Sequence, residues 1–148
     1  MAVTDDAAQS DSGWAERLAP SLDDFEAMAS DALENLPQPF RNLAAGVTCA
    51  VAEFPEDSVL DDLGFESEFD ILGLFTGIGM AQDGAAPQTG QLPNQVLLYR
   101  RPILDYWAEH EETLGAIVTH VLVHEIGHHF GFSDADMEAI EAAAELEQ

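Results

Sequence analysis

Lysine is absent from this sequence, and its only four basic side chains are arginines. Against them stand 29 acidic residues, which give a formal net charge of −25. A field of this sign repels phosphate backbones and anionic lipid headgroups, so we expect no nucleic-acid partner and no membrane partner. It favours cationic substrates or partners, although solubility or a salty habitat would also explain the charge. The charge does not indicate an oligomeric state.

The sequence is also poor in cysteine and has no long apolar stretch. The single cysteine, Cys49, excludes an intramolecular disulfide. No apolar run reaches the ~18 residues that a membrane span needs. The acidic N-terminus lacks the basic start and apolar stretch of a signal peptide, so we expect a cytoplasmic protein.

The length and composition are those of one folded domain. The chain has 148 residues, of which 47% are hydrophobic, and this is enough for one core but not for two. Residues 1–20 are acidic and rich in Ala, Asp and Ser, and we expect this segment to be mobile. Residues 21–148 are then expected to form the single domain.

Apolar spacing and helix-breaking residues predict several helices around a small sheet. Helices are expected from the candidate N-cap Ser21 to Pro37, from Pro102 toward residue 112, from residue 113 or 114 to about 130, and after residue 133 or 134, with a helical turn at 59–63. Strands are expected at 47–54, 69–75 and 95–99, and a long loop at 76–93. This order predicts an α+β domain in which helices pack on a small, mostly antiparallel sheet.

Residues 124 to 134 follow the pattern H-E-x-x-H-x-x-G-x-x-D. His124 and His128 are four residues apart, so on a helix they share one face and can bind one metal ion. A third ligand has to come from outside the helix. Gly131 would let the chain reverse direction, and Asp134 then offers an oxygen ligand. Glu125 could act as the general base that activates a metal-bound water.

A structural interpretation of Asp134 stays open. Either Ser133 or Asp134 could be the N-cap of the last helix, and a capping Asp134 would not be a ligand. The helix that carries the motif is apolar nearly all round, which indicates a buried central helix. His129 points away from the metal side and is expected to be structural. His120 lies one turn before His124 and could support the ligands, face a substrate, or be an ordinary buried histidine.

The motif resembles the long zinc-binding consensus of metzincins, in the variant where aspartate replaces the third histidine. Over roughly residues 21 to 146 the chain resembles the small bacterial family of minimal zincin-like metallopeptidases. The resemblance rests on the N-terminal helix, on residues 98–103, on the motif, and on residues 134–137 after it.

The resemblance implies a zincin-like single domain with its zinc site on a central buried helix. It implies that His124, His128 and Asp134 bind one Zn²⁺ and that Glu125 is the general base. Larger metzincins have a methionine turn beneath the metal. Met137 is the candidate for a comparable packing role here, although it could also be an ordinary core or surface methionine. In zincins an edge strand pairs with the substrate backbone, and residues 69–75 or 95–99 could supply it.

These features predict a zinc-dependent metallopeptidase, a hydrolase that acts on a peptide or protein substrate, with basic substrates favoured. The alternative is a non-enzymatic zinc-stabilised protein-binding module, which the small size and the extreme charge would suit. A third hypothesis is a protein that mimics nucleic acid through its acidic side chains. The acidic residues are spread along the chain and are not tied to a recognisable pattern of such mimics, which disfavours this hypothesis.

Overall fold

A computed structural model of the protein describes residues 13–77 and 94–146. Most of the N-terminal segment and of the 76–93 loop that we predicted lies outside the described residues. The regular elements, numbered from the first long helix, are α1 Leu22–Glu34, α2 Phe40–Leu43, β1 Thr48–Ala52, α3 Asp57–Leu63, β2 Gly73–Thr76, β3 Gln95–Tyr99, α4 Arg100–Glu109, α5 Leu114–His129 and α6 Asp134–Leu146.

Helix α1 begins at the predicted cap. The Ser21 hydroxyl accepts a hydrogen bond from the Asp24 backbone N–H at 3.1 Å, and the Asp24 carboxylate accepts one from the Ser21 N–H at 2.9 Å. This reciprocal pair satisfies two backbone donors that the first turn would otherwise leave free. The helix ends at Glu34, shortly before Pro37, and it buries Phe25 and Ala29 in the core.

The sheet has three strands in the order β1-β3-β2. Strand β3 pairs in parallel with β1 and in antiparallel fashion with β2, so the sheet is mixed and not mostly antiparallel as expected. The α+β single domain itself is as predicted. The direction of β1 relative to β3 depends on the path of the long connection between them, which a strand pattern does not record.

Strand β3 lies in the middle of the sheet, so residues 95–99 do not form the edge that we considered. Val96 and Leu98 are fully buried and Tyr99 is 2% exposed, as suits an interior strand. Among the residues that the structure describes, strand β2 lies at an edge of the sheet, and it contacts α5. The prediction for residues 69–75 located this strand, although its observed bounds are shifted toward the C-terminus.

Helix α5 is the central helix of the domain. Thr113 caps it by accepting a hydrogen bond from the Ala116 N–H at 3.1 Å. It packs against α1, α2, β2, β3, α4 and α6. Its buried residues lie on nearly all sides, as the apolar pattern predicted: Leu114, Ile117, Val118, Val121, Leu122, Val123, Ile126 and Gly127. Despite this apolar character, no helix within the described ranges is long and apolar enough to cross a membrane.

Strand β2 rests directly on α5 because Gly73 has no side chain. A Cβ atom at Gly73 would lie 2.7 Å from Cγ1 of Val121 and 3.1 Å from the Leu97 carbonyl oxygen. Both neighbours are constrained, since Val121 is buried in the core and the carbonyl belongs to the central strand. The edge strand can therefore approach the helix only with glycine at this position.

We predict that Gly73→Ala lowers the free energy of unfolding by about 1–3 kcal/mol, the usual cost of inserting a methyl group into a packed core. Gly115→Ala is the matched control, because nothing lies within 4 Å of a Cβ atom there. Since Gly115 is helical, its replacement should leave stability unchanged or raise it by up to ~1 kcal/mol. Urea denaturation followed by circular dichroism measures both changes. Equal effects of the two substitutions would refute the close approach of β2 to α5.

Candidate metal centre

Helix α5 ends with a turn that sends the chain back along its own side. Gly131 has φ of 92°, a left-handed conformation that glycine adopts at little cost. The Phe132 N–H donates to the Gly127 carbonyl at 2.8 Å, and the Gly131 N–H donates to the His128 carbonyl at 3.1 Å. These two bonds form a Schellman motif. The reversal that we predicted at Gly131 is confirmed.

Ser133, and not Asp134, caps helix α6. The Ser133 hydroxyl accepts a hydrogen bond from the Asp136 N–H at 3.1 Å, and the Asp136 carboxylate accepts one from the Ser133 N–H at 3.2 Å. The Asp134 side chain is therefore not needed as the cap. It turns toward α5 instead, where its Oδ1 atom lies 2.7 Å from Nε2 of His128 and 3.6 Å from Nδ1 of His124.

The side chains of His124, His128 and Asp134 fit a zinc ion. One ligand atom from each of the three lies within 4.8 Å of the others. Tetrahedral zinc with bonds of about 2.0–2.1 Å holds its ligand atoms about 3.4 Å apart. The 3.6 Å separation is already close to this spacing, while the 2.7 Å separation is a hydrogen bond that an ion would have to open. Two imidazoles and a carboxylate are a donor set that suits zinc.

Burial favours the neutral form of the His124 ring. Burial lowers the pKa of His124, and the neighbouring His120 lowers it further, while the negative charge of Asp134 opposes both effects. The His124 side chain is 19% exposed, whereas the His128 side chain is 52% exposed. A neutral imidazole has a lone pair available, so the lowered pKa favours metal binding at neutral pH.

Glu125 lies beside the two histidines in a partly buried position. Burial raises the pKa of its carboxyl group, and the nearby His128 and a hydrogen bond from the Phe75 backbone N–H act in the opposite direction. A carboxylate with a raised pKa accepts a proton more readily than an ordinary one. The contact with Phe75 also joins this side chain to the edge strand β2.

His129 is not one of the three side chains of this cluster. Its ring stacks on Phe75 with a centroid separation of 3.7 Å and an interplanar angle of 15°. His120 does lie beside the cluster, since its ring centroid is 4.0 Å from that of His124. Its Nδ1 atom is also 3.5 Å from a carboxylate oxygen of Glu141, a residue that the sequence analysis did not select. Glu141 follows Asp134 by two helical turns, and this spacing was the available signal.

Met137 packs directly against α5 beneath the motif. It is fully buried, and a Cβ atom added at Gly127 would overlap its sulfur atom. Gly127 lies between the two motif histidines in sequence, so this contact brings α6 close to the backbone that carries them. Met137 is therefore a buried core residue at the contact between α5 and α6, and a role comparable to the methionine turn stays a prediction.

Comparison with known proteins points to the same region of the chain. The model of a family described as zincin-like metallopeptidases matches residues 44–144, about two thirds of the sequence. This range begins before β1 and includes every residue of the cluster. No curated protein matches the chain.

We predict that Asp134→Ala weakens zinc binding, whereas His129→Gln leaves it unchanged. Loss of a residue that only hydrogen-bonds to a metal ligand reduces metal affinity about 10- to 100-fold. Loss of the ligand itself should reduce zinc affinity by at least as much. His129 faces Phe75 and should affect only folding. Zinc affinity is measured by competition with a chelating dye. A loss of affinity in His129→Gln without one in Asp134→Ala would overturn this assignment of ligands.

Proposed function

The chain belongs to the zincin-like metallopeptidase family, and from this we propose that it is a zinc-dependent peptidase that hydrolyses peptide bonds and binds one zinc ion per chain. The observation that carries the proposal is the position of Asp134. Ser133 provides the cap of α6, and the Asp134 carboxylate lies between the two motif histidines.

In this proposal His124, His128 and Asp134 hold the ion. When bound, zinc supplies a Lewis acid that polarises a carbonyl group and lowers the pKa of water to near neutrality. Three protein ligands would leave room for a water molecule or a substrate oxygen at the ion, as catalytic zinc sites require.

Glu125 carries the proton transfers. Its carboxylate accepts a proton from the attacking water and then delivers that proton to the nitrogen of the leaving amine. The raised pKa of Glu125 suits this role, because a more basic carboxylate accepts the proton more readily. The charge of His128 and the Phe75 backbone N–H both favour the charged carboxylate and lower the pKa that burial raises.

Strand β2 is the proposed binding edge for an extended peptide. Within the described ranges it lies at an edge of the sheet and contacts α5, and the backbone N–H of its residue Phe75 lowers the pKa of Glu125. A peptide that adds to a strand edge is held mainly by backbone hydrogen bonds, so this mode suits many sequences. We therefore propose extended peptide segments as the substrate class.

The negative charge of the chain favours basic peptides among these. Arg100 and Arg101 lie beyond the end of the central strand β3, and Arg100 pairs with Glu53 at 2.9 Å. Arg101 lies over the Phe54 ring at 5.4 Å. Neither arginine belongs to strand β2, so the overall negative field of the protein is expected to dominate beside that strand.

The alternative is a zinc-stabilised protein-binding module. One observation favours it: the candidate ligands lie on both α5 and α6, so a zinc ion would link two helices that Met137 and Gly127 already pack together. Such a link would add stability whether or not catalysis occurs. The role of Glu125 separates the two functions, because a stabilising site has no use for a general base.

We predict that Glu125→Gln lowers the rate of peptide cleavage by about 10²- to 10⁴-fold, the usual loss for a general base. Glutamine has nearly the same shape but cannot accept the proton. Zinc content and melting temperature should stay unchanged, since Glu125 is not a ligand. Cleavage is measured by mass spectrometry on a diverse peptide library. Glu112→Gln, an exposed position before α5, is the control and should cleave normally. Equal cleavage by wild type and Glu125→Gln would mean that the activity is a contaminant or that another residue, with His120 the first candidate, is the base, whereas no cleavage by either protein would favour the binding module.

We also predict that basic peptides are cleaved faster than acidic peptides of the same length at low salt. The field of the protein raises the local concentration of cations, and screening limits that field to about 8 Å at physiological ionic strength. The ratio of the two kcat/KM values should therefore fall as sodium chloride is added. A preference for acidic peptides, or a ratio that salt does not change, would contradict this prediction.

A further inference from the structure

A second group of potential ligands lies next to the candidate metal centre. Nδ1 of His120 is 3.5 Å from Oε1 of Glu141, and Nε2 of His124 is 3.8 Å from the same oxygen. One ligand atom from each of these three residues lies within 4.8 Å of the others. The group shares His124 with the first set, but it includes neither His128 nor Asp134.

The Nε2 atom of His124 is buried and has no hydrogen-bond partner among the described residues. It faces the Glu141 carboxylate at a distance longer than the 2.7–3.2 Å of a hydrogen bond. Both separations in this group lie near the ~3.4 Å expected between ligands of one tetrahedral ion. The arrangement therefore fits an ion between the three side chains better than direct contacts among them.

The second group is open to solvent on one side. The His120 side chain is 55% exposed and that of Glu141 is 22% exposed. An ion could therefore reach this group without any movement of the core. Two imidazoles with one carboxylate select transition metals such as zinc over magnesium or calcium, which prefer all-oxygen sites.

We propose that His120, Glu141 and the Nε2 atom of His124 form a second zinc site, which competes with the first site for His124. A neutral imidazole has one nitrogen with a free lone pair and one that carries a proton. In this structure Nδ1 of His124 faces Asp134 and Nε2 faces Glu141. An ion in either site requires the lone pair on its own side, so each ion weakens binding of the other.

This competition gives the second site a regulatory consequence, which rests on the proposed peptidase function. An ion held by His120 and Glu141 withdraws His124 from the set that includes His128 and Asp134. The coupling is reciprocal, so a tightly loaded first site makes the second site weak. The second site therefore fills only when zinc is in excess, and cleavage then slows.

Zinc binding by the metal-free, full-length protein without a histidine tag tests the site directly. Titrations are made in millimolar magnesium, which occupies sites formed by carboxylates alone. Wild type should show one tight and one weaker class of zinc sites. His120→Gln and Glu141→Gln should each weaken the weaker class at least about tenfold, the smallest effect expected for an outer partner of a metal ligand.

Two matched variants control for the loss of a histidine and of a carboxylate. His110→Gln removes a histidine at the C-cap of α4, away from both groups of ligands. Glu138→Gln removes a carboxylate from α6. The charge of this carboxylate raises the pKa of His124, but Glu138 belongs to neither group of ligands. Glu138→Gln therefore separates a loss of negative charge near His124 from the loss of a ligand. Both control variants should retain both classes of zinc sites.

A second measurement removes the first site. The double variant His128→Gln with Asp134→Asn keeps all three ligands of the second site and should still bind one zinc ion. Adding His120→Gln to the double variant should abolish that binding. In NMR spectra of the double variant itself, zinc should shift the ring signals of His120, and it should not shift them once another ligand of the second site is removed. None of these measurements needs peptidase activity, so the second site can fail or survive independently of the proposed function.

The outcomes are distinct. Loss of the weaker class in His120→Gln and Glu141→Gln, with both classes kept in the controls, supports the second site. A weaker class of unchanged affinity in both variants overturns it, as does a double variant that binds no zinc.

If binding follows the proposal, excess zinc should slow cleavage by wild type more than cleavage by His120→Gln. Equal slowing would overturn the regulatory consequence and leave the binding site in place.

Discussion

Helix α5 is enclosed by the sheet and by helices α1, α4 and α6, and this enclosure sets the chemistry of the residues that it carries. Leu122 and Ile126 fill the core, while His124 and Glu125 are partly buried on the same helix. Burial then acts in opposite directions on the two kinds of side chain. It lowers the pKa of His124 and raises that of Glu125, because both groups avoid their charged form in an apolar environment.

The turn between α5 and α6 determines which residue becomes a candidate ligand. A helix N-terminus needs a capping side chain, and two adjacent residues could provide it. Ser133 does so together with Asp136, and Gly131 sets the direction in which the chain leaves α5. Asp134 is therefore turned toward the histidines, and the close contact of Met137 with Gly127 holds the two helices together at this point.

His124 connects the two groups of ligands that the structure brings together. Each of its ring nitrogens faces a different carboxylate, one on the first turn of α6 and one two turns further along the same helix. A single proton on the ring decides which nitrogen can bind an ion. The protonation of one side chain thereby couples the state of the candidate metal centre to a group that lies outside the zinc-binding motif.

The sequence by itself determined where α1 begins, where α5 ends, the burial of α5, and the choice of candidate ligands. These follow from local rules: the four-residue spacing of His124 and His128, the left-handed preference of Gly131, and the capping preference of Ser21. Local rules also identified β3 correctly, although they could not say that it lies in the middle of the sheet.

Only the tertiary structure decided the questions that depend on how distant segments meet. It decided that the sheet is mixed, because strand direction follows the path of the chain between β1 and β3. It also decided that Ser133 caps α6, and that Glu141, one of 29 acidic residues, lies opposite the buried nitrogen of His124. The physical reason is that a side chain's partners depend on the packing angle between its helix and the next one, and that angle is a property of the whole core.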